Sequence, residues 1–146
     1  MKIILTGATG MVGKGVLLEC LDDARVSEVL VLARRSAGIT HPKLKEVLTR
    51  NLLDISPVAD QLMACDGCFF CLGTTSLGKS KEEYRRITRD LTLHIAETLL
   101  PRNPAMTFCY VSGAGTSTKE DSKLDWANVK GGVENALLGM GFKAAY

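Results

Sequence analysis

The sequence has little excess charge and no long apolar run. Its 18 basic and 16 acidic residues leave a formal net charge of +2, so the chain lacks the large positive field on which nucleic-acid binding depends. No apolar stretch approaches the roughly 18 residues that cross a bilayer. We therefore expect neither a nucleic acid nor a membrane as a partner.

A recognisable export signal is also lacking. Lys2 precedes three apolar residues, but Gly7 and Gly10 interrupt the apolar segment, and Glu19 beside Cys20 is a poor cleavage site. These features predict a cytoplasmic protein. The cysteines are then expected as free thiols, and they stand at positions 20, 65, 68, 71 and 109.

The 146 residues, 46% of them hydrophobic, are sufficient for one domain with its own core, residues 1–146. Strand-like and helix-like stretches alternate, which is typical of a parallel sheet. Strands are predicted at 2–6, 28–33, 45–51, 67–72 and 105–112, with a sixth beginning in 142–146. Helices are predicted at 11–21, 58–63, from 80 to before 101, and 124–138. This pattern predicts a doubly wound α/β domain with strand order 3-2-1-4-5 and a partial sixth strand.

The loop between the first strand and the first helix contains three glycines at intervals of three. Backbone N–H groups at a helix amino terminus can bind a diphosphate, and side chains at the glycine positions would obstruct the turn, the phosphate or the helix packing. A tight turn without a ligand is the alternative. We predict nucleotide binding by the loop residues Gly7, Thr9, Gly10, Met11, Val12 and Gly13.

The GxxGxxG spacing, with Ala8 in place of a second closely spaced glycine, resembles that of the short-chain dehydrogenase/reductase superfamily. The resemblance continues through Cys71–Thr75, Tyr110–Gly113 and Val129–Gly131. Together these segments look like the atypical branch that includes the Tat-interacting-protein oxidoreductases. The resemblance implies a Rossmann-type NAD(P)-binding domain whose cofactor lies across the carboxyl ends of the strands.

The end of the second strand has Arg34 and Arg35 where an acidic residue would accept hydrogen bonds from the adenosine ribose of NAD(H). Paired guanidinium groups suit a 2′-phosphate instead. We therefore predict NADP(H) as the cofactor, in preference to NAD(H). Two solvated arginines on an ordinary loop are the alternative.

The resemblance also implies contacts to the adenosine half of the cofactor. Asp54 resembles the family aspartate that touches the adenine amine, although it could equally cap the next turn. Leu72 ends the fourth strand, and Gly73 and Thr74 follow it, where the family backbone passes under the adenine ribose. A strand-end turn is the alternative for these three residues.

Two catalytic roles follow from the same resemblance. Ser112 matches the serine that hydrogen-bonds the substrate carbonyl, and Lys130 matches the lysine that holds the nicotinamide ribose. The family tyrosine, four residues before the lysine, is Trp126 here. An indole N–H donates but cannot cycle a proton at neutral pH, so we expect slow turnover with water as the proton source. A loop-starting serine and a solvated lysine are the alternatives.

Two functions fit these residues: an NADP(H)-binding oxidoreductase of a small carbonyl substrate, or a non-catalytic NADP(H)-binding redox sensor or scaffold.

No metal site is predicted, because strand alternation sends Cys68 and Cys71 to opposite faces and no histidine is near. The chain stops where a sixth strand begins, so we expect the carboxyl-terminal substrate part to be missing. A homo-oligomer could form through an exposed sheet edge or the helices.

Overall fold

Six parallel strands form one sheet in the computed structural model, which describes residues 1–146. The neighbouring strands follow the order β3-β2-β1-β4-β5-β6. Their bounds are β1 Lys2–Thr6, β2 Glu28–Ala33, β3 Leu44–Leu48, β4 Gly67–Phe70, β5 Thr107–Tyr110 and β6 Ala144–Ala145. The predicted α/β fold and strand order are confirmed, and the order reverses between β1 and β4, where such folds bind ligands.

Helices connect the strands on both faces of the sheet. The α-helices are α1 Met11–Asp22, α2 Lys81–Arg85, α3 Leu91–Leu99 and α4 Asp125–Gly139. A π-helical turn, Arg86–Asp90, joins α2 to α3, and 3-10 helices span Ser56–Leu62 and Leu100–Arg102. None of these helices is both long and apolar enough to cross a membrane.

The predicted helix from Ser80 onward is present, but its middle differs from the expectation of a continuous α-helix. The Ser80 side chain accepts a hydrogen bond from the Glu83 backbone N–H at 3.1 Å, as the capping pattern predicts. The π-helical turn then interrupts the α-helical pattern, and the Thr92 hydroxyl donates to the Thr88 carbonyl at 2.6 Å beside it. Hydroxyl-to-backbone bonds of this kind alter local helix geometry.

Further elements differ at their bounds: β4 ends at Phe70 rather than at 72, and β5 is shorter at both ends than the predicted 105–112. The predicted strand 45–51 is shifted to Leu44–Leu48, because the Asn51 side chain accepts a hydrogen bond from the Leu53 N–H at 3.0 Å and starts a turn. The predicted helix 58–63 is a 3-10 helix that begins earlier, with Pro57 in its first turn.

The sheet separates two hydrophobic clusters, because successive strand residues point to opposite faces. The larger cluster packs under α3 and α4, and it contains Ile4, Phe70, Phe108, Ile95 and Val133 among its buried members. The smaller cluster packs under α1, with Ile3, Leu5, Val29 and Leu17. Cys68 belongs to the larger cluster and Cys71 packs against the smaller one, which confirms the predicted separation of these two thiols.

The amino-terminal ends of the strands are held by a buried amide side chain. Asn103 is 2% exposed, and its Nδ2 donates to the carbonyls of Leu62 and Leu99, each at 2.9 Å. Its Oδ1 accepts from the Cys65 N–H at 2.7 Å. This single side chain therefore ties together a 3-10 helix, the segment before β4, and the end of α3.

Candidate functional site

The glycine loop leaves a row of backbone donors free at the start of α1. Gly10 is the N-cap residue, and its N–H donates to the Gly7 carbonyl at 2.9 Å. No side chain caps the helix, and the N–H groups of Met11, Val12 and Gly13 have no backbone acceptor. Unpaired N–H groups at a helix start attract an anion.

The three glycines of the loop are required for different reasons. A Cβ on Gly7 would lie 2.6 Å from the Cys71 carbonyl carbon, and Gly7 has a φ of +72°. A Cβ on Gly13 would lie 2.1 Å from the Gly7 carbonyl oxygen. A Cβ on Gly10 would meet only that oxygen, at 3.4 Å, so packing within the chain does not demand glycine there. The open space over Gly10 fits the close approach of a phosphate.

A cleft runs from this loop to the end of β2, as the carboxyl ends of parallel strands predict. It includes Leu52, which the sequence analysis did not select because it is an apolar residue in a turn. Leu72 is the one member of the segment 72–74 in the cleft wall. The cleft is lined by Gly7, Ala8, Thr9, Leu32, Ala33, Arg34, Arg35, Leu52 and Leu72.

Both arginines at the end of β2 are exposed and make no ion pair. A nearby carboxylate, Glu46 on β3, is engaged elsewhere: it accepts from the Ser36 hydroxyl at 3.0 Å and from the Ala37 N–H at 2.6 Å. Glu46 thus fixes the segment that follows the arginines and leaves Arg34 and Arg35 uncompensated.

The remaining predicted adenosine contacts lie away from the cleft wall. Asp54 accepts a hydrogen bond from the Ser56 N–H at 3.1 Å. Hydrogen bonding by the Ser56 side chain, and then by this N–H, lowers the pKa of the Asp54 carboxyl group. The structure therefore places Asp54 in the turn-capping role that the sequence left open. Gly73 is exposed with open space around its Cα, and Thr74 is half-buried beside it.

Ser112, Lys130 and Glu134 meet where β5 ends against α4. The Ser112 hydroxyl donates to Oε1 of Glu134, a residue that the sequence analysis did not select. The Lys130 Nζ donates to the Val111 carbonyl at 3.4 Å and lies 5.2 Å from the centre of the Tyr110 ring. The spacing of four between Lys130 and Glu134 on one helix could have indicated the carboxylate, since such residues are neighbours on a helix surface.

Burial sets the electrostatics of this cluster. Desolvation lowers the pKa of the Lys130 amine, and the Glu134 carboxylate opposes that shift. Burial also raises the pKa of the Tyr110 phenol, with Tyr84 and Glu134 adding to the effect. Tyr110 therefore remains protonated and serves as a wall for the lysine rather than as an acid near neutral pH.

Trp126 closes the outer side of the same cluster. Its ring lies near Gly113, where an added Cβ would be 3.6 Å from Trp126 Cζ3 and 3.7 Å from Lys130 Cδ. Trp126 is half-buried, so it shapes the space beside the lysine. The indole N–H cannot exchange protons with a reacting oxygen at neutral pH, and this arrangement lacks a tyrosine in that position.

The cysteines do not form a site with these residues. Burial raises the pKa of Cys65 and of Cys71 to about 11, so both thiols are weak nucleophiles at neutral pH. No three histidine, cysteine or acidic residues are grouped to hold a metal ion, and all five cysteines are free.

Residues 3–125 match the model of the NAD dependent epimerase/dehydratase family. A short chain dehydrogenase family protein from Francisella tularensis has a TM-score of 0.71 at 14% identity, over 92% of this chain and 60% of that one. A dTDP-glucose 4,6-dehydratase from Streptomyces venezuelae, solved with NAD, has a TM-score of 0.73 at 17% identity, over 99% and 54%. The resemblance to short-chain dehydrogenases and reductases is confirmed.

Curated relatives include proteins named FMP52, mitochondrial, from two fungi. The Chaetomium globosum protein is 26% identical over 97% of this chain and 61% of its own length. The Saccharomyces cerevisiae protein is 27% identical over 98% and 62%. The chain thus spans about three fifths of the length of these relatives. Their names contradict the predicted cytoplasmic location, which was wrong because it rested on the lack of an export signal alone.

Proposed function

We propose that this chain, which belongs to the NAD dependent epimerase/dehydratase family, binds NADP(H) in preference to NAD(H) and supports the reduction of a small carbonyl compound. The observation that carries the cofactor preference is the unpaired state of Arg34 and Arg35 in the cleft wall. Two uncompensated guanidinium groups favour a phosphate dianion over a ribose hydroxyl.

The glycine loop would hold the diphosphate of the dinucleotide. The free N–H groups of Met11, Val12 and Gly13 are its donors, and the absence of a side chain at Gly10 gives it room. Leu52 and Leu72 offer apolar walls for the adenine ring. When bound, the nicotinamide supplies or accepts a hydride.

The second half of the site would hold the reacting carbonyl. Ser112 lies at the carboxyl end of β5 and carries a hydroxyl, and Lys130 presents an amine held between the Val111 carbonyl and the Tyr110 ring. Lys130 would bind the nicotinamide ribose, and Ser112 would orient the carbonyl oxygen. Trp126 would limit the space beside it to small substrates.

Calorimetric titration with NADPH and then NADH tests the cofactor assignment. The double variant Arg34→Ala and Arg35→Ala should weaken NADPH binding by roughly 10–100-fold, on the order of two charge-assisted contacts. NADH binding should change little. Arg50→Ala is the matched control, because Arg50 is also exposed and unpaired but lies outside the cleft.

Equal affinity of the unchanged chain for the two nucleotides would contradict the NADP(H) preference. Absence of binding to either nucleotide would contradict the cofactor site itself. A uniform loss in all the variants, including Arg50→Ala, would indicate non-specific charge attraction rather than recognition of the 2′-phosphate.

A non-catalytic NADP(H)-binding sensor or scaffold is the second candidate, and Trp126 is the observation that favours it. Without a tyrosine, the chain could bind the nucleotide and turn over nothing. Absence of NADPH oxidation with generic aldehydes in the unchanged chain, together with its appearance in Trp126→Tyr, would support this candidate.

A further inference from the structure

We propose that Ser112 and Glu134 form a proton relay that replaces the missing tyrosine. The inference rests on the proposed carbonyl reduction and deepens it, because it names the groups that deliver the proton. Its basis is the hydrogen bond from the Ser112 hydroxyl to Glu134 Oε1 at the end of β5.

The polarity of this hydrogen bond limits what Ser112 can do alone. A serine hydroxyl has one proton, and here that proton is directed at the Glu134 carboxylate. While Glu134 is ionised, Ser112 can only accept a hydrogen bond from a substrate, as it would from an alcohol. When Glu134 is protonated, its carboxyl O–H donates to Ser112 Oγ, and the Ser112 proton is then free to donate to a carbonyl oxygen.

The reduction step then balances with Glu134 in its acid form. A hydride with its electron pair reaches the carbonyl carbon, and the electrons of the C=O π bond move to the oxygen. The Ser112 proton transfers to that oxygen, while the Glu134 carboxyl proton transfers to Ser112 Oγ. Glu134 is left as a carboxylate and regains a proton from water. In the oxidation of an alcohol the same protons move in reverse.

The surroundings of the pair come from several elements. Lys130 lies one turn earlier on α4, and Tyr110 faces the pair from β5; Glu134 acts electrostatically on both. From α2 and the π-helical turn, Tyr84, Arg85 and Arg89 line the cleft beside α4.

The relay makes the two reaction directions depend on pH in opposite senses. Carbonyl reduction uses the acid form of Glu134, so its rate should fall with rising pH. Alcohol oxidation requires the carboxylate, so its rate should rise over the same range.

The test compares Glu134→Gln with Glu97→Gln in the full 146-residue chain. Glu134→Gln keeps the shape and an acceptor for Ser112 but cannot release a proton, while Glu97→Gln makes the same change at an exposed position on α3. NADPH binding is measured first by calorimetry, and then the oxidation of NADPH by 4-nitrobenzaldehyde is measured across the pH range. Glu134→Gln should lower kcat by roughly 10²–10⁴-fold, abolish the pH dependence and leave KM and NADPH affinity unchanged. Ser112→Ala should lower kcat to a similar extent and abolish the same pH dependence, but it should also raise KM for the aldehyde, because Ser112 contacts the carbonyl oxygen.

A second readout does not depend on turnover. In the nucleotide-free chain, the Ser112 hydroxyl proton should give a downfield NMR resonance, because it bonds to a carboxylate. The resonance should persist in Glu97→Gln, move upfield in Glu134→Gln and vanish in Ser112→Ala. Circular dichroism of each variant shows whether it is folded, and Ser112→Ala serves if Glu134→Gln does not fold.

The outcomes separate the relay from the function on which it rests. Absence of NADPH binding overturns the proposed function, and the relay with it. NADPH binding without aldehyde reduction overturns the proposed reduction and the relay, and leaves the cofactor site in place. NADPH binding with a reduction whose pH profile survives in Glu134→Gln overturns the relay alone. A bound nucleotide, a lost pH profile and a shifted hydroxyl resonance together support both.

Discussion

The amino-terminal and carboxyl-terminal ends of the strands differ in whether their polar groups are hydrogen-bonded within the chain. At the amino-terminal ends of the strands, the Asn103 side chain donates two hydrogen bonds and accepts one within the chain. Asp66 accepts from the Lys2 N–H there at 2.7 Å. At the carboxyl-terminal ends of the strands, Thr6 is fully buried and its hydroxyl has no hydrogen-bond partner. The first-turn N–H groups of α1 are also unpaired there.

The two ends of the strands therefore differ in the free-energy cost of their polar groups. Buried polar groups without partners cost free energy, on the order of 1–3 kcal/mol each, and the buried hydroxyls of Thr6 and Thr88 have none. The amino-terminal ends of the strands therefore pair their polar groups within the chain, whereas the carboxyl-terminal ends leave the Thr6 hydroxyl and the first N–H groups of α1 without a partner in the chain.

The largest expected effect comes from removing the Asn103 hydrogen bonds at the amino-terminal ends of the strands. Asn103→Ala removes three hydrogen bonds and leaves the Cys65 N–H and two carbonyls buried without partners. We expect a loss of about 3 kcal/mol in the free energy of unfolding, measured by urea denaturation. NADPH affinity should be unchanged while the variant remains folded.

Asn135→Ala is the control for that experiment. Asn135 is exposed and donates one bond, to the Thr118 carbonyl at 2.7 Å, so its loss should cost less than about 1 kcal/mol. Equal destabilisation by the two variants would show that Asn103 is no more structural than a surface residue.

A second comparison lies within the glycine loop itself. Gly13→Ala places a Cβ against the Gly7 carbonyl oxygen and should destabilise the chain by roughly 1–3 kcal/mol through overpacking. Gly10→Ala has only one contact, at 3.4 Å, and should leave the stability within about 0.5 kcal/mol. It should nevertheless weaken NADPH binding roughly 10-fold, because the methyl group occupies the phosphate approach.

Thermal denaturation and calorimetric titration of both glycine variants check this pair. Gly15→Ala is a suitable control, since a Cβ on Gly15 has no neighbour within 4 Å and Gly15 lies further along α1. If Gly10→Ala bound NADPH as well as Gly15→Ala does, the space over Gly10 would have no role in binding.

The smallest expected effect concerns the pH dependence of stability. Burial lowers the pKa of Lys130 from its ordinary value of 10.5, so between the lowered value and 10.5 the unfolded chain binds more protons than the folded one. The Lys130 contribution to stability therefore rises with pH through that window and is least favourable below it. Lys130→Met should remove this rise. Urea denaturation from pH 8 to 11 measures it, and Lys14→Met, at an exposed position on α1, should keep the behaviour of the unchanged chain.

The sequence predicts most of the fold because its signals are local. The glycine loop and the alternation of apolar segments give the strand order, and the Ser80 capping pattern gives a helix start that the structure contains. The position of Arg34 and Arg35 beside the loop also follows, because parallel strands end at one edge of the sheet.

Other residues of the site depend on contacts between distant parts of the chain. Glu134 is one of several acidic residues on helices, and only the packing of α4 against the end of β5 brings it to Ser112. Leu52 enters the cleft because a turn after β3 folds back toward the loop. Asn103 lies 38 residues from Cys65, and no local pattern marks that pairing.

The π-helical turn at Arg86–Asp90 has a consequence for how this chain tolerates changes in length. A π turn accommodates one more residue than an α turn, and each residue of an α-helix advances it by about 100°. Deleting one residue from Arg86–Asp90 would therefore be absorbed by converting the turn to α-helix, with α2 and α3 still in their places. An insertion or deletion elsewhere between Tyr84 and Ile95 would instead rotate these two buried residues out of phase with each other. The π-helical turn is therefore the place where this helical segment can change length.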